Sequence, residues 1–354
     1  MAKAVYKNLK QKFMKRIITC SDGTWNKPNL KVKGKVIKTN VQKIFDCINN
    51  RDRVHDIAQV KYYDEGIGAR GSTFSKIFAG ATGRGIDQNI LDAYKFICWN
   101  YEPGDQIYLF GFSRGAYTAR SLGGLIRKSG IIKLNDLDLI SEAYELYRNR
   151  KCVAEDPAAR EFRAKNSHDV SSIRFIGVWD TVGSLGLPLT ILQWYNRRRY
   201  SFYDTKLSSI IEYAYHALAV DERRGVFEPT LWQKSDNQAK NLKQVLEQRW
   251  FPGVHSNVGG GYPDDSLSNI ALKWLFKKAM DVGLSVNHDF LLIPDNYEGT
   301  LNNSCTGLYS LMSKRARKIE VDNIESFVDD SVYERMRRMG AKYRPSNVPD
   351  RAPQ

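Results

Sequence analysis

The sequence predicts an α/β fold built on a doubly wound, mostly parallel sheet. Five short apolar runs have the length of strands, and each leads into a loop that contains Gly, Asp or Ser. Helical patterns separate these runs, and the alternation is typical of a parallel sheet that helices cover on both faces. The strands are predicted at residues 16–20, 60–63, 106–110, 173–179 and 248–251, and the helices at 40–49, 87–100 and 267–282.

The third predicted strand leads into the pentapeptide Gly-Phe-Ser-Arg-Gly at residues 111–115, and a helical segment follows. A Gly-x-Ser-x-Gly turn that joins a strand to a helix is typical of α/β-hydrolases, where it is called the nucleophile elbow. The turn is so tight that a Cβ on either side of Ser113 would crowd the neighbouring strand or helix. The sequence therefore predicts an α/β-hydrolase fold with Ser113 as nucleophile. The alternative is a glycine-rich turn with an ordinary serine.

A serine nucleophile needs a base, and we predict that His255 serves as this base. In α/β-hydrolases the histidine comes last in the chain, after the acid. His255 follows the strand predicted at 248–251 and precedes a helix that starts near Ser266. The rival is His216, whose surroundings at residues 213–219 are apolar and predict a helix. We therefore interpret His216 as a hydrogen-bonded structural residue.

The acid that orients the base is predicted to be Asp180. This residue ends the strand at 173–179, and Thr181 and Gly183 form a tight polar loop with it. Many hydrolases place the acid one strand later, so Asp221 and Glu222 stay open as alternatives. Two arginines follow them directly, which makes an ion pair the simpler explanation of these carboxylates.

Two backbone amides are needed to stabilise an oxyanion. Arg114 supplies the first amide, because it follows the nucleophile at the start of the helix. The second is expected from Gly23 or Thr24, which follow the first strand. For Asp22, in the same loop, a direct role and a bracing role are equally open.

Composition excludes several classes of protein. The chain has 354 residues, of which 42% are hydrophobic and 26% charged, as in an ordinary globular protein. It contains neither an apolar run of about 18 residues nor an apolar N-terminal leader, so we expect a cytoplasmic protein without a transmembrane helix. Peripheral membrane association and non-classical secretion remain open. The cysteines are odd in number and scattered, which predicts reduced thiols and no metal site: Cys20, Cys47, Cys98, Cys152 and Cys305.

We expect a basic N-terminal segment at residues 1–15, a hydrolase domain at 16–290 and a C-terminal extension at 291–354 with a frayed end. Helical lid insertions are expected near residues 131–167 and 187–206. The second insertion contains four side chains that we expect to face substrate or membrane: Trp194, Arg197, Arg198 and Arg199. The net charge of +15 favours a polyanion as partner, either nucleic acid or an anionic membrane surface.

Five motifs occur in a fixed order along the chain. They lie at residues 22–26, 104–117, 179–183, 217–224 and 253–262. Together they resemble the DUF2235 family of hydrolases, which includes the catalytic domain of the Tle1-type phospholipase effectors of type VI secretion. The resemblance implies an α/β-hydrolase fold, a triad of Ser113, Asp180 and His255, and phospholipid ester cleavage of A1 or A2 type. The chain is shorter than the large effectors, which carry an additional membrane-anchoring region.

The sequence as a whole predicts a serine hydrolase of carboxylic esters, with phospholipid acyl esters as the favoured substrate and no metal or organic cofactor. An anionic lipid surface would also use the positive charge, because each Lys or Arg near it adds roughly 1 kcal/mol of attraction. Two alternatives stay open: a soluble esterase or acyl-transfer enzyme for small esters, and a non-enzymatic basic binding module of the same fold. A nucleic-acid partner is not favoured, and the sequence indicates no particular secretion or immunity partner.

Overall fold

The computed structural model describes residues 14–23, 30–32, 34–66, 84–169, 172–182, 206–233, 244–287, 292–311, 313–322 and 325–350. In these residues the main sheet has eight strands in the order β12-β11-β10-β9-β6-β1-β5-β4. All neighbours are parallel except β4 and β5. The strands of this sheet are β1 Lys15–Ser21, β4 Arg51–Asp52, β5 Ile57–Asp64, β6 Gln106–Phe112, β9 Ile173–Trp179, β10 Ile211–Ala219, β11 Val245–Phe251 and β12 Ser326–Val328. Two small antiparallel pairs join β2 Leu30–Val32 to β3 Lys35–Ile37, and β7 Ile131–Ile132 to β8 Ser167–His168.

Helices cover both faces of this sheet. In chain order they are α1 Asn40–Cys47, α2 Arg84–Asn100, α3 Arg114–Ser129, α4 Ile140–Arg148, α5 Pro157–Asn166, α6 His255–Gly259, α7 Ser266–Asp281 and α8 Asp330–Met339. One apolar cluster joins α2, α3 and α4 to one face, and a second joins α1 and α7 to the other. Strand β6 contributes to both, because Leu109 faces the first cluster and Phe110 the second. The predicted doubly wound α/β-hydrolase fold is confirmed.

The strand order reverses between β1 and β6. The chain passes from β1 outward to β5, and then returns to place β6 on the opposite side of β1. Ser21 at the end of β1 pairs with Gly111 near the end of β6. In open parallel sheets this reversal leaves a crevice at the carboxyl ends of the strands, where ligands bind. The loop after β1 and the Gly-x-Ser-x-Gly turn therefore lie side by side.

The prediction of a helix at residues 213–219 is wrong. These residues form most of β10, which pairs in parallel with β9 and β11. A central parallel strand is buried on both faces, so its sequence is a continuous apolar run without the two-residue alternation of a half-exposed strand. Such a run cannot be distinguished from a buried helix by periodicity.

The chain after position 290 contributes one strand to the same sheet. Strand β12 pairs with β11 in a parallel register that sets Ser326 against Gln248. Helix α8 packs beside this edge, where Val332 joins the buried cluster around Trp250. The segment that the sequence assigns to a C-terminal extension thus contributes both a strand and buried apolar surface.

The first expected insertion, 131–167, contains α4 and α5 and packs against the C-terminal half of α3. The Ser129 hydroxyl donates to the Ala143 carbonyl oxygen, and Tyr147 lies against Gly124. Of the second expected insertion only Lys206 is among the described residues, so Trp194 and Arg197 to Arg199 lie outside them. Throughout the part of the chain that is described, no helix combines the length and apolar character needed to cross a bilayer.

Candidate active site

Ser113 lies on a strained turn between β6 and α3. Its backbone has φ 56° and ψ −117°, a conformation that non-glycine residues rarely adopt. A Cβ on Gly111 would lie 2.3 Å from the carbonyl oxygen of Gly115. A Cβ on Gly115 would lie 2.0 Å from the carbonyl oxygen of Ser21. Both flanking positions therefore admit only glycine, as expected for a nucleophile elbow.

The side chains of Ser113, His255 and Asp180 form one continuous chain of hydrogen bonds. His255 Nε2 lies 2.8 Å from Ser113 Oγ, and His255 Nδ1 lies 2.5 Å from Asp180 Oδ2. All three residues are buried. The imidazole packs against the rings of Phe112 and Phe227, with ring centroids 4.7 and 5.0 Å away. This packing restricts the ring to the orientation that reaches both partners.

The Asp180 carboxylate accepts four hydrogen bonds. Besides the bond to His255, Oδ1 accepts from the Ala219 amide at 3.0 Å and from Arg317 Nη1 at 2.6 Å. Arg317 Nη2 donates to Oδ2 at 3.0 Å. Complete burial opposes ionisation of this carboxyl, but Arg317 and His255 outweigh the burial and hold its pKa well below the usual range. Asp180 is therefore an anion at neutral pH.

Arg317 is the residue of this site that sequence reasoning missed. It follows two exposed basic residues, Lys314 and Arg315, and precedes a third, Lys318. Within such a basic run no local pattern distinguishes the one side chain that is buried. No sequence motif marks this arginine, because its hydrogen-bond partners lie in parts of the chain that are distant in sequence.

Asp221, the first alternative acid, is directed elsewhere. Its Oδ2 accepts from the Gly253 amide at 2.7 Å and from the Tyr343 hydroxyl at 2.8 Å. Burial raises its pKa above the usual range despite these bonds. Asp221 thus ties the end of β11 to the C-terminal segment.

Glu222, the second alternative, contacts the backbone of His255 rather than its ring. Its Oε2 accepts from the His255 amide at 3.2 Å, and the same carboxylate accepts from Arg224 and from the Ser304 hydroxyl. Burial opposes ionisation, but the bonds from Arg224 dominate and lower the pKa of Glu222 to about 2. Glu222 therefore holds the loop that carries His255.

His216 lies in the middle of the sheet as a neutral hydrogen-bonding residue. Its Nε2 accepts from the Thr181 amide at 3.1 Å, and Nδ1 lies 3.4 Å from Gln248 Oε1. Burial, with a smaller contribution from Arg120, lowers the pKa of His216 to about 3. These contacts fix the loop that follows Asp180 and agree with a structural role.

Two of the three residues expected to form the oxyanion hole, Arg114 and Gly23, are among the described residues. Arg114 is the first residue of α3, and amides of a first turn have no acceptor within their own helix. Burial lowers the pKa of its guanidinium to about 9. On the opposite side the Gly23 amide donates to Asp22 Oδ1 at 2.6 Å, and Asp22 Oδ2 also accepts from Tyr63. Asp22 thus braces this loop, and Thr24 lies outside the described residues.

The described residues lack a cluster of metal ligands. None of them form a group of three or more His, Cys, Asp or Glu side chains that could hold a metal ion. The five cysteines are unpaired. Burial raises the pKa of the Cys98 thiol to about 12, so this thiol is not a nucleophile at neutral pH. The hydrogen-bonded Ser113 and His255 are the pair with the geometry of a nucleophile and its base.

Comparison with known proteins identifies the family of the chain. A family model described as "T6SS, Phospholipase effector Tle1-like, catalytic domain" matches residues 15–278. The Saccharomyces cerevisiae protein YEL023C, itself uncharacterized, is 31% identical over 234 residues, which cover 60% of this chain and 32% of that protein. The chain thus spans about a third of the length of this relative.

Solved structures show more distant likenesses. An uncharacterized protein from Pseudomonas aeruginosa has a TM-score of 0.45 and 17% identity, covering 81% of this chain and 50% of its own. A Tle1 effector bound to the VgrG spike of the type 6 secretion system has a TM-score of 0.40 and 20% identity, covering 71% and 52%. The family model matches more than half of the chain, and the resemblance seen in the motifs is confirmed: the chain belongs to the family of Tle1-like phospholipase-effector catalytic domains.

Proposed function

We propose that this protein is a serine hydrolase that cleaves acyl esters of phospholipids through a covalent acyl-enzyme. The observation that carries the proposal is the hydrogen-bonded chain from Ser113 Oγ through the His255 ring to the ionised Asp180. Nucleophile, base and orienting acid in this arrangement are the working parts of serine esterases.

In the first half-reaction His255 Nε2 accepts the proton of Ser113 Oγ as the oxygen attacks the acyl carbonyl. The Asp180 carboxylate accepts a hydrogen bond from Nδ1–H, which keeps Nε2 unprotonated beforehand and stabilises the imidazolium afterwards. Collapse of the tetrahedral intermediate transfers this proton to the leaving alcohol. The product alcohol departs, and the acyl group stays on Ser113.

In the second half-reaction His255 Nε2 accepts a proton from a water molecule as the water oxygen attacks the acyl carbon. Collapse of this intermediate breaks the bond to Ser113 Oγ, returns the proton to that oxygen and releases the fatty acid. The Arg114 amide is proposed as one oxyanion donor in both steps, and an amide of the loop after β1 as the other. In the present arrangement the Gly23 amide donates to Asp22, so a rotation of that peptide or the use of Thr24 would complete the pair. A missing donor costs about 10²- to 10³-fold in turnover, which makes this loop a determinant of rate.

The family description and the charge of the chain support a phospholipid substrate. The matching family is named for phospholipase effectors, and the net charge of +15 favours an anionic surface. Arg197, Arg198 and Arg199, with Trp194, are proposed to contact lipid headgroups. Replacement of the three arginines by serine should reduce hydrolysis of anionic vesicles while turnover of a soluble short-chain ester barely changes. Equal effects on both substrates would exclude a membrane role for this segment.

Hydrolysis of a panel of phospholipids and short-chain esters, with products identified by mass spectrometry, tests the proposal. We expect release of fatty acid and lysophospholipid, and labelling of Ser113 by a fluorophosphonate probe. Ser113→Ala should lower turnover by about six orders of magnitude. Ser121→Ala is a matched control on the same helix, because the Ser121 hydroxyl only donates to the Tyr117 carbonyl. Activity of Ser113→Ala within about tenfold of wild type would refute the triad.

The same panel separates the alternatives. Cleavage of small esters with no cleavage of any phospholipid indicates a soluble esterase. A chain that the fluorophosphonate does not label, although it is folded, indicates a binding module that shares the fold.

A further inference from the structure

The segment after the family domain supplies a side chain that contacts the acid of the proposed triad. The family model ends at residue 278, whereas Arg317 lies well beyond it and contacts Asp180 directly. We propose that Arg317 is a positioning residue of the hydrolase: it holds the Asp180 carboxylate in the orientation and charge state that His255 requires. This inference rests on the proposed function, because it assigns Arg317 a part in the same reaction.

The geometry of Arg317 is that of a planar clamp. Its Nη1 donates to Asp180 Oδ1 at 2.6 Å and to the Ala219 carbonyl at 2.9 Å. Its Nη2 donates to Asp180 Oδ2 at 3.0 Å and to the Phe227 carbonyl at 2.6 Å. Two parallel bonds to one carboxylate fix its plane as well as its position, which a single point charge cannot do. The plane of the carboxylate in turn determines where Oδ2 meets the His255 ring.

The charges around Asp180 make Arg317 the principal counterion. His255 faces the carboxylate from α6, His216 from β10 and Arg317 from the C-terminal segment. His216 is neutral, and His255 must be neutral to act as base. In the resting state the guanidinium is therefore the permanent positive charge among these three neighbours. Its removal leaves a buried carboxylate beside two neutral rings.

The surrounding backbone holds the arginine in this inward position. The Arg315 amide donates to the Arg223 carbonyl at 2.8 Å, and the Asn347 side chain donates to the Arg317 carbonyl at 3.1 Å. Lys314 and Arg315 remain exposed while Arg317 is 3% exposed. The backbone is thus anchored two residues before Arg317 and at Arg317 itself.

A purely structural role is the competing explanation, because Arg317 also ties together the Ala219 and Phe227 carbonyls. The two explanations differ in their effect on the pH dependence of reaction. A structural tie would change stability but not the pH at which activity appears. A positioning residue would change that pH, because without the guanidinium the buried Asp180 carboxylate is protonated more easily. This protonation moves the acid limb of the rate profile to higher pH.

The experiment compares Arg317→Met, Arg317→Lys and the control Arg315→Met in the full chain. Rates of fluorophosphonate labelling and of short-chain ester hydrolysis are measured from about pH 5 to pH 9. For Arg317→Met we expect an acid limb at least about one pH unit higher and a plateau about 10²-fold lower, since misplacement of a reacting group by about 1 Å has this cost. For Arg317→Lys we expect an acid limb near that of wild type and a reduced plateau, because the charge is kept but the clamp is lost. Arg315→Met should match wild type.

An unchanged acid limb and plateau in both Arg317 variants would overturn the inference while leaving the proposed function intact. An unreactive wild type would overturn the proposed function itself. If circular dichroism shows that Arg317→Met does not fold, Arg317→Lys decides: a lowered plateau with a retained acid limb supports the positioning role. A plateau equal to that of wild type in this variant refutes it.

Discussion

The contrast between Gly115 and Gly123 gives a sharp test of the elbow. Both glycines lie in α3, and both are changed to alanine, a substitution that favours a helix by about 1 kcal/mol. At Gly123 the new Cβ would lie 3.4 Å from Ile211 Cδ1, an ordinary contact. We therefore expect Gly123→Ala to leave the free energy of unfolding unchanged or to raise it by up to about 1 kcal/mol.

At Gly115 the new Cβ would lie 2.0 Å from the Ser21 carbonyl oxygen and 2.6 Å from that of Asp22. These are backbone atoms of β1 and its loop, so they can yield only if the strand and the elbow move apart. Overpacking of this kind costs about 3 kcal/mol of stability. The higher helix propensity of alanine offsets about 1 kcal/mol of this cost. The expected net loss is about 2 kcal/mol, or about 3 °C in the melting temperature of a chain of 354 residues.

The displacement should also reach the chemistry, because Gly115 follows Arg114, whose amide is a proposed oxyanion donor. Thermal unfolding and the rate of fluorophosphonate labelling are measured for both variants and for wild type. We expect a labelling rate at least about tenfold lower in Gly115→Ala, and a rate equal to wild type in Gly123→Ala. Equal stability of the two variants, or wild-type labelling by Gly115→Ala, would refute the packing argument.

Three further predictions concern titratable groups. Asp180→Asn should label about four orders of magnitude more slowly than wild type, and Asp221→Asn within about tenfold of it; the reverse order would assign the acid to the later strand. Folding depresses the pKa of His216 to about 3, so the buried ring stays neutral while the unfolded ring is protonated below about pH 6.5. The free energy of unfolding therefore keeps the full contribution of His216 above about pH 6.5 and loses it as the pH falls. Between pH 7.5 and pH 5 this loss is about 2 kcal/mol, and urea unfolding should show a shallower decline in His216→Gln. Burial and nearby carboxylates raise the pKa of Asp64 to about 7, so its contribution is lost as the pH rises through that value. Asp64→Asn should therefore stabilise the fold by about 3 kcal/mol more at pH 8 than at pH 5, and the opposite sign in melting curves would contradict this.

The features that the sequence predicted are those with local causes. Gly111 and Gly115 flank Ser113 because the turn has no room for a Cβ, and this steric need is met by adjacent residues. Short apolar runs that end in polar loops likewise have a local cause, since a strand buried on both faces must be apolar along its length. The fold class and the candidate nucleophile could therefore be predicted without any knowledge of strand order.

The features that only the tertiary structure decided depend on which strands are neighbours. The apolar run around His216 is a strand because β9 and β11 pair with it, and nothing within the run itself excludes a helix. Asp180 rather than Asp221 meets the His255 ring because β9 lies beside β6, so that the loops after these strands converge. Arg317 and Asp180 are 137 residues apart in the chain, and their pairing follows from the path of the C-terminal segment across the ends of the strands. An ion pair of this kind has no sequence pattern, because its energy depends on a distance that only the folded chain sets.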